Sequence, residues 1–514
     1  MYHFSNKRII ESNEPKKKRS YCMELIWKEL DAERLVERQT VQVRVEGDLP
    51  TADGRTPRKV LNLNSRVIID NTAVDTDKVD IEGQITILTT ALDEEDRAFS
   101  FESSAGFTHS VSASGVMPGM TAYVSPCVQS IDAVPSGSGL KLNVSMDMDV
   151  RITSAIPIKV TGGVSGIDDL EMKTSLCGHS RKLRIGQDTL RMREELAADA
   201  VADVFSAEGH VLVRDISAEH DGTTVSGVIS ISAITADGNG HLGQLVRQVP
   251  FRERIGVSST EDDVCCEAKL NSLYLRALGE DLALVSLETE VSFTLYAIKT
   301  SELSMPVDAF SPSIGFGCLC DKVDVLNSLG MLSTQTSIKE TVPLPDGSAD
   351  IRTPLFISAR PIITEAYASG ESITVNGILA TTFTYESDSG LIYTFSEDVP
   401  FTNDIDGRMG ANYADVKASC IASFNGIGER SIHVQYTLLT NADVYRQEEH
   451  DIVVGLVEKE PAEKLTGIIV CFASEGDEIF DIAKRYCVSC DSVTQLNPDM
   501  NAPFKEGDKL LLFV

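Results

Sequence analysis

The sequence predicts a mainly β protein, with three tandem β-sandwich-like repeat domains and a small βααβ module at its C-terminal end. Three observations support this prediction. Apolar and polar residues alternate over long stretches, one short motif recurs three times, and residues 465–514 change to a helical period. Strands with one buried face alternate with a period of two, whereas helices repeat apolar positions every three or four residues.

The length and composition indicate more than one domain and limit the class of partner. A chain of 514 residues is too long for one hydrophobic core. Its 42% hydrophobic and 24% charged residues are typical of folded domains. The net charge of −31 argues against nucleic acid or an anionic membrane surface as the partner. It favours protein partners that carry a basic patch.

The N-terminal segment carries charge but no recognisable leader. Residues 1–22, which include Lys16, Lys17, Lys18 and Arg19, are predicted to form a basic, disordered tail. No apolar run follows these charges, and no stretch reaches the roughly 18–20 apolar residues that a spanning helix needs. We therefore expect a protein without a transmembrane segment, located in the cytoplasm.

The cysteines do not form a recognisable framework. Eleven is an odd number, which argues against a set of structural disulfides. The closest spacings are the pairs Cys265 and Cys266, Cys318 and Cys320, and Cys487 and Cys490. None of these has a second ligand pair nearby, which structural zinc usually requires. We therefore predict no metal and no cofactor.

An internal repeat organises the body of the chain. A β-branched alternation that runs into a glycine recurs at Val79–Gly83, Thr223–Gly227 and Ile373–Gly377, and the glycines lie 144 and 150 residues apart. Each glycine precedes a phenylalanine by 24 positions; these are Phe107, Phe251 and Phe401. Such regular spacing predicts a domain-sized duplication. A glycine inside a strand suggests a bulge or a close backbone approach, which is a structural role.

A second alternating run closes the repeats. Residues 142–152 and 432–438 place apolar side chains at every second position, which is typical of antiparallel sheets with one wet face. The predicted domains are residues 23–156, 165–305 and 313–456. Irregular joints are predicted near Ser154–Asp169 and Thr300–Gly317, and a charged linker at residues 457–464.

The C-terminal module, residues 465–514, has a different pattern. A short strand at Ile468–Phe472 precedes a helix, and Asp477 is predicted to cap the N-terminus of this helix by accepting backbone N–H bonds. A second helix ends before Asn497 and Pro498, and a last strand follows. The first helix has one apolar face, formed by Ile479, Ile482, Ala483 and Tyr486.

This module resembles a LysM domain over its whole length. The Gly-Asp opening, the Ile-Ala-x-x-Tyr helix, the Leu-Asn-Pro turn and the closing segment from Phe504 to Leu510 all have counterparts in that family. LysM modules commonly bind N-acetylglucosamine glycans in a groove between two loops. The resemblance implies a binding edge formed by Glu475, Gly476, Asp477, Glu478, Asn497 and Pro498.

The first of these loops departs from the LysM pattern. Glu478 replaces the usual threonine, and Glu475 and Asp477 add two more carboxylates. Because burying a carboxylate carries a desolvation cost, this loop favours a protein partner with a basic surface over a glycan. An acidic docking loop also predicts binding that weakens at high salt.

The arrangement of repeats before a LysM module resembles the SPOCS-domain family of endospore-forming Firmicutes. The segment Val41–Pro50, the stretch Val67–Gly83 and the repeated glycine-to-phenylalanine unit carry this resemblance. It implies a clostridial-type scaffold for spore-coat assembly in the mother-cell cytoplasm, at the forespore surface. It further implies that the LysM module docks to the coat ATPase, stage IV sporulation protein A, while the repeats contact other coat proteins.

An enzyme is not predicted. The chain has no Gly-x-x-x-x-Gly-Lys-Ser/Thr loop, no Gly-x-Ser-x-Gly elbow and no His-Glu-x-x-His helix. Two other hypotheses stay open. A cell-wall protein would bind peptidoglycan through the LysM module and would need export. A component of the exosporium or surface layer would assemble through exposed strand edges.

Overall fold

Strands dominate the fold. The computed structural model describes residues 24–51, 55–137, 139–155, 157–219, 221–257, 263–278, 283–459 and 466–514. Strands account for 77% of the residues and helices for 3%, which confirms the predicted mainly β class. The predicted tail at residues 1–22 lies outside the described residues, and so do residues 460–464 of the predicted linker and residue 465 of the module.

The first repeat is built from eight strands: β1 (Glu24–Leu30), β2 (Arg34–Pro50), β3 (Lys59–Asp75), β4 (Lys78–Leu92), β5 (Ala98–Ser112), β6 (Thr121–Ser136), β7 (Gly139–Ser154) and β8 (Ile158–Ser165). Two antiparallel sheets have the orders β2-β7-β6 and β3-β4-β5. A separate two-stranded ribbon pairs β1 with β8.

The second and third repeats follow the same plan, and several of their strands are longer. The strands are β9 (Glu171–Ala197), β10 (Asp203–Glu219), β11 (Gly222–Ala236), β12 (Leu242–Ile255), β13 (Val264–Ala277), β14 (Leu284–Phe310), β15 (Phe316–Pro343), β16 (Ile351–Ser387), β17 (Ile392–Ala411), β18 (Tyr413–Ile427) and β19 (Ser431–Glu458). Their sheets are β13-β14-β9 and β10-β11-β12, then β15-β19-β18 and β16-β17. The long element β16 folds back on itself, since Gly377 lies against the carbonyl of Ile362.

The two stretches predicted as irregular joints are partly strand, and for those parts the prediction is wrong. Half of Ser154–Asp169 belongs to β8, which pairs with the distant β1. The stretch from Thr300 to Phe310 belongs to β14 and pairs with the beginning of β9, and β15 begins at Phe316. Partners far away in sequence satisfy these backbone hydrogen bonds, and a local pattern gives no sign of such partners.

The regularly spaced glycine and phenylalanine residues form a cross-strand pair. In all three repeats the glycine lies directly opposite its phenylalanine on the neighbouring strand. A Cβ atom at Gly83, Gly227 or Gly377 would lie 2.5, 2.0 or 2.4 Å from a backbone carbonyl oxygen of a further strand segment, and within 2.7–2.8 Å of the phenylalanine ring. The predicted close approach is therefore confirmed, and only glycine leaves room for the ring.

Each repeat has its own apolar core. The inward residues of β7, which include Leu142 and Ile152, are fully buried, as are Ile432 and Leu438 on β19. Both predicted alternating runs are thus confirmed as core strands. Full burial of such a side chain stabilises by about 1.5–3 kcal/mol, so the repeats are held mainly by these faces.

Two further clusters join the repeats at the centre of the molecule. One combines side chains of the β1–β8 ribbon with those of β9, β14, β15 and β19, which are Leu30, Ala32, Val160, Cys177, Met305, Val325 and Ile452. The other takes residues from all three repeats, which are Leu61, Leu92, Ile234, Ala236, Leu242, Leu355 and Phe356. The repeats therefore form one packed body. We refer to residues 24–459 as the body.

Candidate functional site

The C-terminal module is a two-stranded sheet with two helices on one face. Its elements are β20 (Ile468–Phe472), α1 (Ile479–Tyr486), α2 (Cys490–Leu496) and β21 (Lys509–Phe513). The helices cover the inner face of the sheet, where Cys471, Leu510 and Leu512 are buried. The ring of Phe310 on β14 completes this core, in edge-to-face contact with Phe480 at 5.2 Å between centroids. The module is thus packed on the body.

The predicted acidic loop lies where the sequence places it, directly before α1. Gly476 has a φ of +86°, which glycine adopts without strain. Its N–H donates to the carbonyl of Phe504 at 2.9 Å, and the N–H of Phe504 donates to the carbonyl of Asp477 at 2.8 Å. The N–H of Glu475 donates to the carboxylate of Glu506 at 3.0 Å. The loop is therefore fixed against the segment that leads into β21.

The cap of α1 differs from the prediction. The carboxylate of Asp477 accepts from the N–H of Ser474 and from the guanidinium of Arg485, both at 2.9 Å. The hydrogen bond from Ser474, together with Arg485, lowers the pKa of Asp477. The helix begins one residue later, with Glu478 as N-cap, and the carboxylate of Asp481 accepts its N–H at 3.0 Å. Asp477 therefore braces the loop and does not cap the helix.

The acidic groups around α1 already have a basic partner within the chain. Lys173 on β9 lies 2.9 Å from Glu478 and 3.2 Å from Asp481. The hydrogen bond to Glu478 raises the pKa of Lys173. A second ion pair joins Lys484 on α1 to Asp308 on β14. The N-terminus of α2 is held in the same way, since the N–H of Cys490 donates to Glu171 at 3.0 Å.

Asn497 has a structural role in the module. Its side-chain amide donates to the carbonyls of Val493 at 2.7 Å and Leu511 at 2.8 Å, and its oxygen accepts the N–H of Leu511 at 2.7 Å. These bonds tie the end of α2 to β21. Pro498 follows and is exposed. The two predicted groups therefore have different partners: the loop before α1 is bonded to Phe504 and Glu506, whereas Asn497 is bonded to Leu511 of β21.

The outer face of the β20–β21 sheet is the largest feature that the sequence analysis missed. Five apolar side chains point away from the helices and are 45% to 73% exposed: Ile468, Val470, Phe472, Leu511 and Phe513. They lie side by side, since Ile468 is paired with Phe513 and Val470 with Leu511. The ammonium group of Lys509 lies 5.9 Å from the Phe472 ring centre. We call these five residues the outer sheet face.

A signal for this face is present in the sequence. Ile468 to Phe472 is an unbroken apolar run, and so is Leu510 to Val514. A two-stranded sheet covered by helices on one side should alternate apolar with polar residues. Because both the odd and the even positions of these strands are apolar, the side of the sheet that faces away from the helices is an uncovered apolar surface.

Metal-binding clusters and membrane-spanning helices are both absent from the described ranges. Among these residues, no group of three or more His, Cys, Asp and Glu side chains is arranged to hold a metal ion. No helix in the described part is long and apolar enough to cross a membrane.

Comparison with known proteins identifies one domain. Residues 57–135, from just before β3 into β6, match the protein family described as SipL, SPOCS domain. This stretch contains the first glycine–phenylalanine pair, Gly83 and Phe107. The first repeat is therefore similar to a domain of the sporulation-related SipL type. Searches of curated proteins and of solved structures found no match to the chain.

Proposed function

We propose that this chain is a non-catalytic scaffold for spore-coat assembly. In this proposal, three tandem SPOCS domains form the body and a LysM module at the C-terminal end docks to the coat ATPase, stage IV sporulation protein A. The protein would act in the mother-cell cytoplasm, at the forespore surface. The SPOCS match in the first repeat supports the sporulation role. The recurrence of the same glycine–phenylalanine pair in all three sheets supports the extension to the other repeats.

The observation that carries the docking role is the outer sheet face. Folded proteins seldom leave a contiguous apolar patch in water unless something binds it. Five side chains that are about half exposed can contribute roughly 5 kcal/mol to association if a partner covers them. The face is flat and apolar, with Lys509 at its margin. It suits an apolar surface of a partner protein with an acidic group beside it.

The state of the acidic loop favours a protein partner over a glycan. A LysM glycan groove uses the loop before α1 as one wall, and here Glu478 in that loop is bonded to Lys173 of the body. A sugar would have to compete with this ion pair and would leave carboxylates without partners. A partner at the outer sheet face meets no such competition, because the face lies on the opposite side of the sheet from α1.

A capture experiment with the full-length chain tests the proposal. The full chain is needed because Phe310 of the body forms part of the module core. Immobilised stage IV sporulation protein A and purified peptidoglycan sacculi are offered in parallel at physiological salt. We expect retention on the ATPase and none on the sacculi. Sedimentation with the sacculi and no retention on the ATPase would contradict the proposal and favour a cell-wall protein.

A further inference from the structure

A large cavity lies at the meeting of the three repeats. Its volume is about 910 Å³, and its walls come from β2, β3, β6 and β7 of the first repeat and from β16, β17 and β18 of the third. Strand β10 of the second repeat contributes Glu208 and His210. Pockets that hold small molecules typically measure about 300–1,000 Å³ and often lie between domains. The cavity is therefore large enough for a small organic molecule.

Three equivalent positions of the repeats meet at or near this cavity. Arg66, His210 and Arg360 each lie two residues before the residue whose carbonyl contacts the repeat glycine, and they are 144 and 150 residues apart like the glycines. Arg66 donates to two carbonyls of the second repeat, those of Leu270 at 3.3 Å and Asn271 at 3.4 Å. Its guanidinium thus bridges two repeats with two acceptors.

Arg360 bridges two repeats as well, but its guanidinium has fewer acceptors. It donates to the carbonyl of Gln129 in the first repeat at 3.3 Å, while its Nε is buried without an acceptor. Within the described ranges no carboxylate lies in ion-pair distance of it. Burial lowers its pKa, but a guanidinium remains charged at neutral pH. A buried charge without a counter-ion is costly, so this site favours an anion.

Two titratable groups of the second repeat line the cavity, and burial shifts the pKa of each towards its neutral form. Burial raises the pKa of Glu208 to about 7, and its carboxyl accepts a hydrogen bond from Asn64 of the first repeat at 2.8 Å. Burial lowers the pKa of His210 to about 4, so this imidazole is uncharged at neutral pH. Asp398, whose charge acts on Arg360, also lines the cavity but is exposed to solvent. Asp147, Glu365 and Lys417 line the cavity as well, and Asp149 and Asp415 there are paired with Arg38. Arg360 differs from Arg38, because it has no such carboxylate partner among the described residues.

We propose that this cavity binds a small anionic molecule that carries a carboxylate or phosphate group. The anion lies against the guanidinium of Arg360, and Asn64, Glu208 and His210 supply hydrogen-bonding groups around it. A protonated carboxyl can donate to an anionic oxygen, and an amide or imidazole N–H can do the same. A molecule bound here would touch all three repeats and would stabilise their association by mass action.

Thermal unfolding of the full-length chain tests this proposal at pH 6.5, with citrate and inorganic phosphate as probes. Sodium chloride at matched ionic strength is the reference, because screening alone stabilises a chain with a charge of −31. We expect a saturable rise of a few degrees in the unfolding midpoint with citrate or phosphate. The rise should vanish in Arg360→Gln. It should persist in Arg352→Gln, which changes an exposed arginine on the same strand.

A second measurement on the wild type keeps the test independent of how well Arg360→Gln folds. Cys127 lines the cavity, whereas Cys320 is exposed elsewhere. We expect citrate to slow alkylation of Cys127 several-fold and to leave Cys320 unchanged, as read by peptide mass spectrometry. The proposal is wrong if both anions act no more strongly than chloride, or if citrate leaves the Cys127 rate unchanged.

Discussion

The body and the C-terminal module differ in how completely they cover the apolar side chains of their strands. In the body, a phenylalanine on one strand fills the space above a glycine on the next, and both lie on a covered core face. In the module, β20 and β21 present an apolar face that nothing in the described part of the chain covers. The comparison teaches that the buried apolar residues hold the fold of this protein, whereas the outer sheet face is free to serve the docking role proposed above. Substitutions in the body should therefore change stability, and substitutions on the outer sheet face should change binding.

The largest effect is expected from filling the space at a repeat glycine. Gly377→Val should destabilise the third repeat by about 3 kcal/mol or more, because its Cβ would meet a carbonyl at 2.4 Å and the Phe401 ring at 2.7 Å. Urea unfolding followed by circular dichroism measures the loss. Gly178→Ala is the matched control, since a Cβ on this strand glycine meets nothing within 4 Å. Equal stability of the two variants would contradict the packing role of Gly377.

A pH effect of intermediate size is expected from the centre of the body. Burial raises the pKa of Glu208 to about 7 in the folded state, so the stabilising contribution of its protonated form is lost as the pH rises towards and through 7. Glu208→Gln removes this dependence. Its stability relative to the wild type should therefore increase by about 2 kcal/mol between pH 5.5 and pH 8.

The pH dependence of stability that His210 causes should have the opposite sign. Burial lowers its pKa to about 4, so the stabilising contribution of the neutral imidazole is lost as the pH falls below the ordinary range of histidine. His210→Asn should therefore gain on the wild type as the pH falls. Urea midpoints of both variants, measured between pH 5.5 and pH 8, check the two signs together. Differences from the wild type that do not change with pH would exclude this role for the central groups.

The smallest effect is expected from the acidic loop. Asp477→Lys with Glu478→Lys breaks the contacts with Ser474, Arg485 and Lys173, but partly exposed ion pairs of this kind contribute about 1 kcal/mol or less each. We expect slightly faster hydrogen–deuterium exchange in α1 and little change elsewhere. Asp499→Lys, a charge reversal at another exposed acidic residue of the module, is the control. Loss of the whole fold in the double variant would show that the loop carries more of the module's stability than its geometry indicates.

The sequence predicts the class of fold and the core strands well, because both depend on local alternation. The glycine–phenylalanine spacing even predicts a close contact that the structure confirms. The ribbons could not be predicted, since β1 pairs with β8 across more than a hundred residues. Pairing across such a distance depends on the whole fold.

The site was only partly predictable for a related reason. The six predicted residues lie in the two expected loops, but Lys173, the basic partner of Glu478, comes from a different domain. The sequence around Glu478 does not predict that partner. The apolar runs in β20 and β21 contained the signal for the outer sheet face, yet an apolar run alone does not tell whether one or both faces of a strand are covered.

The affinity of the full-length chain for stage IV sporulation protein A, measured for variants of the two module surfaces, tests the central claim most directly. Val470→Asp with Phe472→Asp should weaken binding about tenfold or more without unfolding the module, because both side chains are exposed. Met409→Asp, at an exposed apolar residue of the body, should bind like the wild type. The contrary result is a loss of binding in the Asp477→Lys and Glu478→Lys variant, with none in the Val470→Asp and Phe472→Asp variant. It would place the docking site at the acidic loop and contradict a docking role for the outer sheet face.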